Sequence, residues 1–525
     1  MNHVLLLLLA ALVSAPAWGQ GFGQNQVIRD QFHWKVRSTE HFDIHYYEGS
    51  APRAAQAAGI LEAAFRRVAR DLEIPTEAPA WASPAAKKRL QWRRRPFFLY
   101  ANPNDFQQSN IAYGGDGTGG ITEPFKDRFM VYNDGTDRWL EEVITHEFVH
   151  IMQFHVLITG PWRSGSILKT IIYPLWMIEG MSGYVTYGIE SALEEITIRD
   201  AATSGGLIPL VHLEHFGHLK PHQVTLAYKQ GAAALEFIAS QFGRRKVARM
   251  LKLFESRFET AAVLSEVIGL DAFQFDRKYR EYLETKYRRE VRRERLNDPQ
   301  YYGAPLTRAG DGLPQYNTAP VFSPDGRTMY FISTRQGHPP AVFAWDVKRK
   351  RTRRLWSLER TALENLPTGN FANLSRVLSI SRDGRRLAFA ATRNHRDGIY
   401  LYDLAQGRLE LRELPGFMTV AQPAFSPDGR QLAFSGMKDS VTDIYLYGLA
   451  DGKVTQLTAD PEDDEMPVFS PDGASIVYSS EVRDQLDPSR RGRRLYRLEL
   501  KDRSLTRLED SGGEARDPWF SEDGA

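Results

Sequence analysis

No cysteine occurs among the 525 residues. Its absence excludes disulfides, thiol nucleophiles, cysteine-ligated zinc and a lipid-modified N-terminal cysteine. Neither charge sign dominates: 67 Lys and Arg stand against 65 Asp and Glu, a formal net charge of +2. The whole-chain balance therefore gives no reason to invoke nucleic acid or an acidic surface as a partner. Long apolar runs are scarce as well. After the N-terminus no stretch reaches the ~18 uninterrupted apolar residues that a membrane-spanning helix requires. What is left is a long, charge-balanced chain with ample apolar material, and length alone suggests about two to four domains.

The one concentrated apolar run is at the start. In "MNHVLLLLLAALVSAPAWGQ" the run from Val4 to Val13 is followed by Pro16 and small residues, the pattern of a secretory h-region and its cleavage zone. Residues 1–19 are taken as a signal peptide, cut after Gly19 or Ala17, although no Lys or Arg precedes the run. The mature chain is expected to be exported, periplasmic or extracellular, without a transmembrane segment. A cysteine-free exported chain of this size fits a bacterial envelope better than an animal secretory route.

From Gln20 to about Pro299 helix and strand patterns mix. "HFDIHYYEG" (His41 to Gly49) alternates as a strand does, and "SAPRAAQAAGILEAAFRRVARDL" has the Ser cap, early Pro and apolar spacing of a helix. "RPFFLYANPNDF" and "RFMVYNDG" look like strands ending in turn residues. The basic "KKRLQWRRRP" (Lys87 to Pro96) reads as a solvated loop rather than an anion-docking patch. "FDRKYREYLETKYRREVRRERL" reads as a long basic helix whose Tyr279, Tyr282 and Tyr287 pack on the preceding domain.

After Pro305 the chain repeats itself. "PVFSPDGRTMYFIS" (Pro320), "LSISRDGRRLAFAA" (Leu378), "PAFSPDGRQLAFSG" (Pro423), "PVFSPDGASIVYSS" (Pro467) and "PWFSEDGA" (Pro518) recur at a period of about 40–60 residues. In Ser-Pro-Asp-Gly, Ser323 suits the first turn position, Pro324 sets φ at the second and Gly326 closes a hairpin between two short strands. A second pair of strand signals follows in the units, as in "GIYLYDLAQGRLELREL". Four strands per unit, repeated, make a β-propeller. These repeats resemble the TolB-type propeller family over residues 305–525, with the last copy stopping inside a blade.

The chemistry-bearing stretch is "VITHEFVHIMQFH", Val143 to His155. Thr136 or Asp137 can cap a helix through it, and from Val143 onward that helix is apolar on almost every side, so it must be buried. His146 and His150 stand one turn apart on one face, with Glu147 beside them, and can converge on one cation. Two imidazoles and a carboxylate in such a helix need something to satisfy them. A catalytic zinc takes three protein ligands. Gln153 and Val156 occupy the positions where a metzincin carries Gly and His, which rules that class out, and His155 is off the face.

A glutamate on a following helix is the other source of a third ligand, and "PLWMIEGMSGYVTYG" supplies Glu179. Here the chain resembles the gluzincin metallopeptidases: Trp176, two apolar residues, Glu179 and Gly180 are similar to the third-ligand helix of the aminopeptidase N family. "TLAYKQGAAALEFIASQFG" is similar to the family's tyrosine segment, on which match Tyr228 would donate a hydrogen bond to the oxyanion, with Tyr184 and Tyr187 as rivals. "GGITEPF" (Gly119 to Phe125) lies where the family's groove-lining strand lies. The family's Gly-Ala-Met-Glu-Asn strand motif is missing, and Glu123 is the candidate to replace its glutamate, so aminopeptidase specificity is not assumed.

The resemblances together imply a multi-domain chain. An α+β thermolysin-like zinc peptidase domain (residues 20–299) would precede an all-β, incomplete TolB-like propeller (305–525). The implied function is an exported, Zn2+-dependent peptidase acting on peptide or protein substrates. His146, His150 and Glu179 would hold the metal, Glu147 would serve as general base and Tyr228 as oxyanion donor, and the propeller would gate access or bind a protein partner. The alternatives are a catalytically lapsed TolB-like envelope binding or scaffold protein, and a metal-dependent hydrolase of non-peptide bonds.

Overall fold

The computed structural model describes residues 31–76, 92–108, 118–157, 173–187, 192–306, 317–357, 378–508 and 515–521, apart from 125, 220, 258, 298, 335–340, 395 and 484–490 within those spans. The leader, residues 87–91 of the basic segment and Phe125 lie outside them. Among the described residues no helix is long and apolar enough to cross a membrane. The chain is multi-domain, an N-terminal α/β region followed by a β-rich C-terminal region.

The N-terminal region is built on a five-stranded sheet: β1 (Lys35–Ser38), β2 (Phe42–Tyr46), β3 (Arg95–Tyr100), β4 (Gly120–Glu123) and β5 (Arg128–Tyr132), in the order β1-β2-β3-β5-β4. The pairs β2–β3 and β3–β5 are parallel, so β4 is an antiparallel edge strand on β5. Alternation along the strands divides their side chains between two cores. Phe97, Leu99, Phe129 and Val131 face the helices. Tyr100, Met130 and Tyr132 face the other way, into an aromatic cluster against which Met418 of the C-terminal region packs.

Helix α1 (Ala51–Asp71) connects β2 to β3 and buries Leu61, Phe65 and Val68. Its N-cap residue Ser50 makes no side-chain capping bond, contrary to the sequence reading. "ANPNDF" likewise does not end in a simple turn but in a short helix, α2 (Pro103–Gln107), capped by Asn102 accepting from Asp105 N at 2.8 Å. Next come α3 (Asp137–Leu157), α4 (Leu175–Tyr187), α5 (Ala192–Ser204), α6 (Pro221–Phe242), α7 (Arg245–Phe254), α8 (Thr260–Ile268) and α9 (Ala272–Arg293). The tyrosine segment lies inside α6. Tyr279 and Tyr287 of the basic α9 are buried, as its aromatic spacing suggested.

Among the described residues the C-terminal region contains four four-stranded antiparallel sheets, each in sequential strand order, over residues 317–357, 378–413, 419–456 and 463–507. The repeated turn explains its own sequence. In the third unit the Ser426 hydroxyl donates to Asp428 at 2.6 Å while accepting from Gln431 N at 2.9 Å, and Gly429 takes φ +67°. Ser323, Ser381 and Ser470 make the same bond to Asp325, Asp383 and Asp472. The fifth copy is described only to Ser521 and forms no strand among those residues.

The two regions meet at the start of α3. Arg53, 5 % exposed, donates to Ser440 O (2.6 Å) and Asp463 Oδ1 (3.2 Å) on the C-terminal side and to Gly135 O (3.1 Å) and the Asp137 carboxylate on its own side. The other oxygen of Asp463 accepts from Asp137 N at 2.7 Å. A carboxylate of the C-terminal region thus accepts from the first N–H of the helix that carries His146 and His150.

Candidate metal and catalytic centre

Helix α3 starts where β5 ends. Thr136 is its cap, the hydroxyl accepting from Trp139 N at 3.4 Å. Phe148, Val149, Ile151 and Met152 are each at most 1 % exposed, so the helix is held in the core around its circumference. His146 and His150 project together toward α4, where Glu179 meets them. The Nε2 atoms of His146 and His150 lie 3.5 and 3.3 Å from the same Glu179 Oε2. The three donors lie within 4.8 Å of one another.

Their geometry suits a cation. A tetrahedral ion with bonds of about 2.0–2.1 Å needs donors separated by about 3.3–3.4 Å, longer than a good hydrogen bond and close to the separations found here. His150 is held from behind. Gln153 Nε2 donates to Ile178 O (2.9 Å), which aims Gln153 Oε1 at His150 Nδ1 (2.9 Å), and Ser182 Oγ lies 3.1 Å from the same nitrogen. Because that amide oxygen only accepts, Nδ1 carries the proton and Nε2 faces Glu179, an arrangement typical behind metal-binding histidines. Among the described residues the buried His146 Nδ1 finds no hydrogen-bond partner.

Electrostatics agree with the geometry. Burial alone would pull the His150 pKa down, but Glu179, Glu147 and the Gln153 hydrogen bond together outweigh it and raise it to about 9. Glu179 is held well below the usual carboxylate range by the two imidazoles despite its burial.

Glu147, 7 % exposed, is turned toward β4, where the Thr122 hydroxyl donates to its Oε2 at 2.6 Å. Tyr228 packs on Phe216 at 5.2 Å between ring centres, and Glu179 first, then burial and Glu147, push its phenol above the ordinary range. That phenol therefore feels the charge of both carboxylates, although Tyr228 is 36 % exposed. Tyr187 has its ring 6.3 Å from that of His146 and under Lys229 Nζ at 5.5 Å. Burial lowers Lys229 to about 8. Tyr184 packs against the main core and feels Glu236, Arg244 and Asp71 rather than the two glutamates. His155 lies against Trp92 and Arg95, away from the cluster.

Close packing of α4 on α6 brings Glu179 and Tyr228 together. A Cβ on Gly180 would lie 2.3 Å from Gly231 C, and one on Gly231 2.5 Å from Trp176 O. Only glycine permits that approach, which accounts for the glycine directly after Glu179 and the one three residues after Tyr228. Glu123 does not face a free groove: its carboxylate pairs with Arg128 Nε and, at 3.3 Å, with Lys126 Nζ. Thr122, Gln153 and Ser182 escaped the sequence reading because their roles depend on which strand and helix face the histidines; only the paired glycines left a sequence signal.

Comparison with known proteins bears on the C-terminal region. The family model described as "TolB beta propeller domain" matches residues 374–525. No curated protein matches the chain. Among solved structures, TolB from Acinetobacter baumannii is 20% identical over 40% of this chain and 47% of its own, with a TM-score of 0.32. A putative TolB from Agrobacterium tumefaciens is 20% identical over 39% of this chain and 69% of its own, TM-score 0.31. An oligogalacturonate lyase from Vibrio parahaemolyticus is 13% identical over 42% and 58%, TM-score 0.32. The chain spans about half the length of the Acinetobacter structure, 47%.

Proposed function

We propose that the chain is an exported zinc-dependent peptidase of gluzincin type carrying a TolB-like propeller. The observation that supports it most is the convergence of His146 and His150 on one oxygen of Glu179, at separations that fit a tetrahedral ion, beside a buried glutamate. His146, His150 and Glu179 would hold the metal, which when bound supplies Lewis-acid activation of water and of a carbonyl oxygen. Glu147 takes the proton of the attacking water and delivers it to the leaving amine nitrogen. The Tyr228 hydroxyl donates a hydrogen bond to the oxygen on which negative charge develops. With Glu123 committed to Arg128 and Lys126, no role in binding a substrate amino terminus is assigned to it.

The propeller's part is to bind a protein partner or gate large substrates, a reading supported by its contact with the start of the helix that carries His146 and His150. A second reading, a lapsed TolB-like scaffold of the bacterial envelope, is favoured by the family match itself. One experiment separates them. The peptidase binds about one zinc per chain and hydrolyses fluorescein-labelled casein; Glu147→Gln keeps the zinc and loses activity by orders of magnitude. Zinc-loaded parent protein without hydrolysis favours the scaffold.

A further inference from the structure

We infer that Thr122 is a positioning residue for Glu147, a role that rests on the peptidase reading. Strand β4 passes directly over the glutamate. Gly120 and Thr122 are two residues apart and so present the same face of the strand. At Gly120 there is room for a hydrogen only: a Cβ there would lie 2.5 Å from Glu147 Cγ and 2.9 Å from its carboxyl carbon and Oε1. At Thr122 the hydroxyl reaches Glu147 Oε2 at 2.6 Å, and the backbone oxygen of Glu147 at 3.1 Å. A hydroxyl has one proton, and the shorter contact to the charged oxygen takes it.

The two contacts hold different parts of the side chain. Gly120 limits how far the carboxylate can rise toward the strand, and the Thr122 hydrogen bond occupies Oε2, leaving Oε1 as the oxygen to receive a proton. The strand is itself fixed: β4 pairs with β5 in the register Gly120 opposite Val131 and Thr122 opposite Phe129, both partners wholly buried. The orientation of Glu147 is therefore set by the sheet rather than by its own helix. An acid–base group must sit within hydrogen-bond reach of the proton it moves, and a displacement of about 1 Å can lower a rate about a hundredfold.

The test replaces Thr122 in the full chain. Thr122→Val keeps the shape and removes the hydroxyl; Thr122→Ser keeps the hydroxyl. With fluorescein-labelled casein as substrate, Thr122→Val should lower kcat about 10- to 100-fold with KM nearly unchanged, and Thr122→Ser should recover most of it. Zinc affinity, measured by competition with a chromophoric chelator, should be the same for all three proteins, because no metal-binding side chain is touched. The inference is overturned on its own if Thr122→Val retains the parent kcat while Glu147→Gln is inactive, if serine fails to restore activity, or if the valine variant loses zinc together with activity. A zinc-loaded parent that hydrolyses nothing, or a fully active Glu147→Gln, overturns the peptidase reading and this inference with it.

Discussion

Replacing Arg53 by methionine probes how the two regions are joined. Methionine keeps most of the aliphatic length of arginine but none of its charge. Arg53 is 5 % exposed and its partner Asp463 2 %, so the substitution leaves two carboxylates, Asp463 and Asp137, facing each other with their shared cation gone. The carbonyls that Arg53 served are not abandoned. Gly135 O also accepts from Thr442 Oγ1 at 3.2 Å, and Ser440 O from Asn133 Nδ2 at 3.5 Å. The loss is therefore mainly that of one partner of a buried ion pair, about 3–5 kcal/mol. That is a large part of the ~5–15 kcal/mol that holds an ordinary domain folded. Urea titration followed by tryptophan fluorescence measures it, and small-angle scattering reports whether the regions separate. Adding Asp463→Asn removes one of the stranded charges, so the double variant should lose less than the sum of the singles, with a coupling of about 1–3 kcal/mol. An Arg53→Met protein within about 0.5 kcal/mol of the parent, typical of a surface change, refutes a buried clasp.

Three further outcomes are expected. Gly231→Ala should destabilise by about 1–3 kcal/mol in urea, because its Cβ would be forced against Trp176 O; were that contact relaxed, alanine's helix propensity would stabilise α6 by about 1 kcal/mol instead, so the sign decides. Tyr228→Phe should lower kcat on casein about a hundredfold with zinc retained and KM little changed, whereas Tyr184→Phe, at a phenol that feels Glu236 and Arg244 rather than the two glutamates, should be silent. A Tyr228→Phe enzyme of full activity beside a crippled Tyr187→Phe would transfer the role to Tyr187. Burial raises Asp464 to about 8, Asp134 to about 7 and Asp443 to about 6. The native state therefore holds protons that the unfolded chain has released above about pH 4, and the stability linked to them is lost as pH climbs through those values. The melting temperature of metal-free protein should fall between pH 5.5 and 8.5, and a rise would contradict the assignment.

The sequence by itself determined whatever depends on local pattern. His146 and His150, one helical turn apart, had to share a face, because 3.6 residues per turn leaves no other arrangement. Ser-Pro-Asp-Gly had to form a turn, since Pro and Gly preset its dihedral angles and the serine and aspartate side chains bond within it. Tyr279 and Tyr287, eight residues apart in a charged segment, marked its buried side. Contacts between elements distant in the chain were decided only in the tertiary structure. That Thr122 grips Glu147 follows from the pairing register of β4 on β5, which no local pattern encodes. That Tyr228 feels the charge of the carboxylates depends on the glycine-mediated packing of α4 on α6, which joins segments about fifty residues apart. Arg53 appeared as one arginine in an amphipathic helix, with nothing to set it apart from Arg66 or Arg67. Its partners Ser440 and Asp463 lie 387 and 410 residues away, and only the docking of the two regions removes it from water and makes it the joint between them.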